Sequence, residues 1–312
     1  MRIVFMGSAE FACPAVEALR LSRHALVACV TQPDRPKGRH LKLTACPVKA
    51  LAEARGIPVQ TPERIADPAA LASVETLQPD VIVVAAYGQY LPSRLLAMPR
   101  VACINIHPSL LPKYRGAAPI QWAVASGDTV TGVTILHVSK KMDAGDLILQ
   151  EPYPIGDEDT AGSLEPKLAE FGAELLLRAI DQLEQATAAR VPQDEAQVTW
   201  ARKLDKEDGR LDWTQPAAAL RHRVRGFQPW PGAFTTIGNQ RLKVLVTRVE
   251  PGRGEPGRLL EVGGDGPLVA CGEQALRLLE VQPEGRPAMP GHAYVNGCPL
   301  VPGQILPGKF QI

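Results

Sequence analysis

The chain has 312 residues, 45% of them hydrophobic and 21% charged, the composition of an ordinary soluble globular protein with room for two domains. A formal net charge of +1 excludes a protein that gathers nucleic acid through its overall field, so any polyanion partner has to be held by a local patch. The longest apolar run, Val81 to Ala86, is too short to span a bilayer, and Met1 to Phe5 passes straight into a strand pattern without a signal-peptide layout. A cytoplasmic protein with no membrane partner is the expectation. The six cysteines show neither a Cys-X-X-Cys pair nor His spacing for zinc, so reduced thiols and no metal are expected.

Arg2 to Met6 reads as a short strand ending at Gly7, and Cys13 to Leu21 as a helix with Pro14 in its first turn. The connection Gly7-Ser8-Ala9-Glu10-Phe11 lacks the Gly-X-Gly-X-X-Gly pattern of a dinucleotide site. Strands at Ala25–Thr31 and Ile57–Gln60 flank a helix at Val48–Arg55. A helix at Ala69–Leu77 leads to Asp80–Ala86, a continuous apolar strand of the kind buried on both faces. Val101–His107 is the next strand and Ala118–Ala125 a helix; Gly132–Val138 and Leu147–Pro152 are strands, and Leu164–Gln185 is a long helix. This alternation predicts a Rossmann-like, doubly wound α/β fold with a mostly parallel sheet.

Beyond it the pattern changes. Gln193 to Asp212 is polar and aperiodic; after a short helix from Ala217 come closely spaced strands at 232–237, 241–249, 258–262, 268–271 and 276–281, which suggest a small β-barrel. The expected organisation is a catalytic domain over 1–190, a linker over 191–212 and a C-terminal barrel over 213–312.

In the strand ending at His107, Ile104 and Ile106 point one way and Asn105 and His107 the other. Pro108 removes a donor and stops the strand. An amide and an imidazole thus stand together at the carboxyl end of a strand, where open α/β sheets place ligands. Asp143, in Met142-Asp143-Ala144-Gly145-Asp146 after a later strand, is the third polar residue of interest; Asp and Gly also build tight turns locally. Such a trio suits acyl transfer to an amine. A donor amide or a protonated imidazole can stabilise a tetrahedral oxyanion, an effect typically of order 10²–10³ in rate. A carboxylate can orient the imidazole and relay a proton by way of water.

The run Asn105-Ile106-His107-Pro108-Ser109-Leu110-Leu111-Pro112-Lys113-Tyr114-Arg115-Gly116, with Met142 to Asp146, resembles the folate-dependent formyltransferases. The resemblance implies Asn105, His107 and Asp143 as catalytic residues without a metal. It also implies 10-formyltetrahydrofolate as formyl donor, contacted through Ser109, Leu110, Leu111 and Pro112. The loop after the second strand, Gln32 to Leu43, holds Arg35, Lys37, Arg39 and Lys42. Alone it reads as a solvated charge run, yet it is similar to the insertion by which the methionyl-tRNA-directed branch of the family grips the acceptor end. Between Arg221 and Val249 six Lys or Arg, Arg223 and Arg225 among them, stand with no Asp or Glu, enough for a local phosphate-binding patch. The expectation is formyl transfer to the α-amino group of initiator methionyl-tRNA by a monomer, with a sugar-nucleotide amine as alternative acceptor, hydrolysis to formate as alternative reaction, or RNA binding on a retired enzyme scaffold.

Overall fold

The computed structural model describes residues 1–37, 42–238, 240–298 and 300–307, which fall into two compact units. The first takes Met1–Gly116, Val130–Pro154 and Glu165–Ala201, and the second Ala117–Thr129, Ile155–Leu164 and Arg202–Ile312. Two short segments from within the first 190 residues therefore pack with the second unit, and residues 191–201 pack with the first.

The strands of the first unit are β1 (Arg2–Gly7), β2 (Ala25–Val30), β3 (Arg35–Lys37), β4 (Lys42–Thr44), β5 (Val59–Gln60), β6 (Val81–Ala85), β7 (Ala102–His107), β8 (Arg115–Gly116), β9 (Val130–His137), β10 (Leu147–Pro154) and β11 (Trp200–Ala201). Seven of them form one sheet in the order β10-β9-β7-β6-β1-β2-β5. The strands from β5 to β7 run parallel, and β9 and β10 add antiparallel. Order reverses between β1 and β6, the switch point that in open α/β sheets marks the ligand side at the strands' carboxyl ends. All five residues of β6 are buried, as a central strand covered on both faces requires. Val4, Met6, Ile82 and Leu95 belong to one core cluster on this sheet.

The helix Cys13–Leu21 forms over the residues expected, with Pro14 in its first turn. The long helix, expected from Leu164, begins at Ala161. Thr160 and Ser163 explain the earlier start: each side-chain oxygen accepts the other's backbone N–H, at 3.0 and 3.1 Å, which satisfies two otherwise orphaned donors. The basic stretch after β2, expected as a loop, contains a small hairpin in which β3 and β4 pair antiparallel, with Lys37 opposite Lys42.

The second unit is built on β12 (Ala233–Ile237), β13 (Gln240–Glu250), β14 (Leu259–Glu261), β15 (Leu268–Ala270), β16 (Ala275–Pro283) and β17 (Met289–Pro290). They form an antiparallel sheet in the order β12-β13-β16-β15-β14, with β17 on β16. The pairing of β13 with β16 shifts register around Val246, an irregularity of the kind that bends and twists a long strand pair. Trp213, Leu220, Val244 and Leu276, each at most 1% exposed, share its core. Phe227, fully buried, meets Trp122 edge-on at 5.6 Å between ring centroids. Among the described residues no helix is long and apolar enough to cross a membrane.

Candidate active site

The site is assembled at the end of β7. Ile104 and Ile106 are buried on one face, and on the other Asn105 is half-buried while His107 is only 4% exposed. The imidazole lies deeper than a strand end suggests, and the Tyr114 carbonyl of the following segment meets its Nε2 at 2.9 Å. A carbonyl can only accept, so Nε2 carries a hydrogen in this arrangement and Nδ1 is the nitrogen left to exchange a proton. Nδ1 faces Asp143 Oδ2 at 3.7 Å.

Antiparallel pairing brings the end of β9 beside Ile104, away from the end of β7. The loop between β9 and β10 must therefore run back along the sheet for Asp143 to reach His107. Its conformation is constrained. Asp143 sits in the left-handed region at φ 49°, uncommon for a residue with a Cβ. A Cβ on Gly145 would lie 1.7 Å from the His137 carbonyl oxygen, so only glycine fits this approach. The backbone N–H of Gly116 donates to Asp143 Oδ2 at 2.9 Å, and Gly116 itself has φ 123°.

A further set of contacts surrounds these groups. Gln193 Nε2 donates to the carbonyls of Asp143 and Gly145, each at 2.8 Å. Its Oε1 accepts from Arg115 Nε and Nη2 at 3.0 and 2.8 Å. Arg115 is 2% exposed, and its Nη2 also donates to Glu195 Oε1 at 2.8 Å. The guanidinium holds the Glu195 carboxyl below its ordinary pKa. Thr199 Oγ1 accepts from Tyr114 N at 2.8 Å, and the Thr199 carbonyl accepts from Arg115 N at 2.9 Å. Gln193, Glu195 and Thr199 lie in the stretch expected as linker, where no periodicity marks them.

The Ser109–Pro112 loop is tied down from beneath. Ser109 is fully buried and its Oγ donates to the Lys113 carbonyl at 2.7 Å. Thr134 Oγ1 donates to the Ser109 carbonyl at 2.6 Å, and Gln150 Nε2 donates to the Leu111 carbonyl at 2.8 Å. The Leu111 side chain is buried, while Leu110 and Pro112 are half-buried. Burial pushes the Cys29, Cys103 and Cys271 thiols up to about 12, which keeps them protonated and weakly nucleophilic at neutral pH.

The basic residues fare unevenly. Arg35 is exposed and pairs with Glu63 at 3.0 Å, a surface contact of the kind worth little. Lys37 and Lys42 are placed by the hairpin backbone, and Arg39 lies outside the described residues. Arg223 lies with its guanidinium carbon 5.8 Å from the Phe227 ring centroid. Arg225 departs from the expected phosphate contact. It is 7% exposed, and its Nη1 donates to the carbonyls of Gly156 and Asp159, both at 3.0 Å. Burial, with Arg221 beside it, pushes Arg225 below its ordinary pKa. On the same helix Arg221, one turn earlier, is paired with Asp157 and Glu158, and on β13 Arg248 is paired with Glu250 and Asp265.

The comparisons agree with this architecture. The formyl transferase family model matches residues 1–180, and the formyl transferase C-terminal domain model matches 203–299. A methionyl-tRNA formyltransferase of Geobacter metallireducens is 45% identical over 303 residues, 97% of each chain. One from Anaeromyxobacter dehalogenans is 49% identical over 302 residues, covering 95% of this chain and 97% of the relative. Among solved structures, that of WlaRD, a sugar 3N-formyl transferase, superposes with a TM-score of 0.69 over 92% of this chain and 99% of that one; at 14% identity this speaks to fold alone. The sequence match spans both units, and the chain belongs to the formyl transferase family.

Proposed function

We propose that the chain transfers a formyl group from 10-formyltetrahydrofolate to the α-amino group of initiator methionyl-tRNA, in the cytoplasm and as a monomer. The observation that carries the choice of acceptor is the similarity to relatives named methionyl-tRNA formyltransferase, 45% identical over 97% of both chains and continuous through the second unit. In the reaction the neutral amine attacks the formyl carbon and a tetrahedral oxyanion forms. The nitrogen of the acceptor loses a proton, the bond from carbon to the donor's N10 breaks, and N10 gains a proton. The products are a formamide and tetrahydrofolate.

Asn105 would donate to the oxyanion. His107, whose Nε2 is committed to the Tyr114 carbonyl, would move the proton through Nδ1, with Asp143 orienting it. Leu110, Pro112 and the backbone of their loop would meet the folate, since the Ser109 and Leu111 side chains are turned inward. The basic stretch of the first unit, with Arg35, Lys37, Arg39 and Lys42, would hold RNA phosphates, and so would Arg223 on the second unit; the Arg225 guanidinium is held by the Gly156 and Asp159 carbonyls.

Phosphate contacts of this kind release counterions. Affinity for methionyl-tRNA is therefore expected to fall steeply as salt rises, with each of Arg35→Ala, Lys37→Ala and Lys42→Ala making the log–log slope shallower by about one. Binding measured across a salt series tests this. A slope left unchanged by the triple substitution would remove the hairpin from the RNA site.

A further inference from the structure

We propose that Gln193 is a positioning residue for formyl transfer, holding the Asp143 carboxylate against His107; this rests on the catalytic reading of Asn105, His107 and Asp143 given above. The hydrogen-bonding atoms fix how the amide is oriented. Arg115 has only donors, so the atom it meets is the Gln193 oxygen. The two backbone carbonyls can only accept, so the atom facing Asp143 and Gly145 is the Gln193 nitrogen, and both its hydrogens are used.

The amide thus clamps the backbone on both sides of Ala144, in a loop whose Asp143 is held at φ 49°. Backbone in that region persists where its surroundings over-determine it. Arg115 is nearly inaccessible to solvent, and its contacts with Gln193 and Glu195 leave the Gln193 amide little freedom to turn. The same stretch of chain acts on the imidazole. Thr199 takes the N–H groups of Tyr114 and Arg115, which sets the Tyr114 carbonyl that fixes His107 Nε2. One segment after the long helix, residues 193–199, therefore orients both partners of the His107–Asp143 pair.

The prediction is a loss in turnover rather than in binding. Displacement of a reacting group by about 1 Å can cost on the order of 10² in rate. Gln193→Ala is expected to lower the single-turnover rate by about that factor, with KM for folate donor and for methionyl-tRNA changing less than about threefold. Gln193→Glu keeps the volume and an acceptor for Arg115 but removes both donors. It is expected to lose rate similarly and to melt lower than wild type but well above the assay temperature, which covers the case in which the alanine variant folds poorly. A thermodynamic cycle separates positioning from simple damage: in an Asp143→Ala background, Gln193→Ala should have almost no further effect on rate. Losses that multiply in the double variant, or an unchanged rate in both Gln193 variants, would overturn the inference. An Asp143→Ala enzyme with wild-type turnover would instead overturn the catalytic reading beneath it.

Discussion

Replacing His107 by alanine is expected to lower formyl transfer by about 10² to 10⁴, the range typical of a lost general acid–base. In barrier terms that is about 2.7 to 5.5 kcal/mol. The substitution also has a structural cost, because the Tyr114 carbonyl loses its 2.9 Å partner at a site only 4% exposed. Losing such a hydrogen bond typically costs about 0.5 to 1.5 kcal/mol. That lowers stability but leaves most molecules folded in a protein of ordinary stability, so it cannot account for a rate loss of that size. Single-turnover rates beside a thermal melt separate the two effects. A rate within tenfold of wild type would mean that the proton moves by another route.

Trp213→Ala carries the largest expected effect on folding. The indole is 1% exposed, in a core shared with Leu220, Val244 and Leu276. Truncating a buried tryptophan typically costs about 3 to 5 kcal/mol in transfer and cavity terms. Against a usual total of about 5 to 15 kcal/mol, this is enough to bring the second unit close to unfolding. The groups assigned to chemistry all lie in the first unit. Folate binding is accordingly expected to persist at urea concentrations at which the second unit of this variant has already unfolded. A midpoint shift worth less than about 1 kcal/mol would show that the sheet does not depend on this core.

Much of the first unit was legible because its signals are local. Cys13–Leu21 has helical apolar spacing and an early proline, Val81–Ala85 is continuously apolar, and Ala102–His107 alternates. Asn105 and His107 could be placed together by alternation alone. Asp143 could not, because its approach depends on a loop doubling back along the sheet. Gln193 and Thr199 left no trace for a related reason: their partners, backbone groups and the Arg115 guanidinium, are far away in sequence, and a segment that hydrogen-bonds to distant groups needs no periodicity of its own. The hairpin of Arg35–Lys37 with Lys42–Thr44 lay hidden in a proline- and glycine-rich stretch.

Arg225 shows the limit of counting charges. A cluster of Lys and Arg read along the chain does not say which way a helix turns them. Here the helix faces Arg221 and Arg225 toward the carbonyls and acids of residues 156–159. The cluster's formal charge is partly neutralised inside the protein, so fewer of its guanidinium groups face solvent than the sequence suggests.

Formylation of charged initiator methionyl-tRNA by the purified protein with 10-formyltetrahydrofolate, run beside an amino-sugar nucleotide as competing acceptor, tests the assignment directly. Rapid appearance of formylmethionyl-tRNA, with the sugar amine left unmodified, is the predicted result. Formylation of the sugar amine alone, or release of formate with neither acceptor modified, would contradict it.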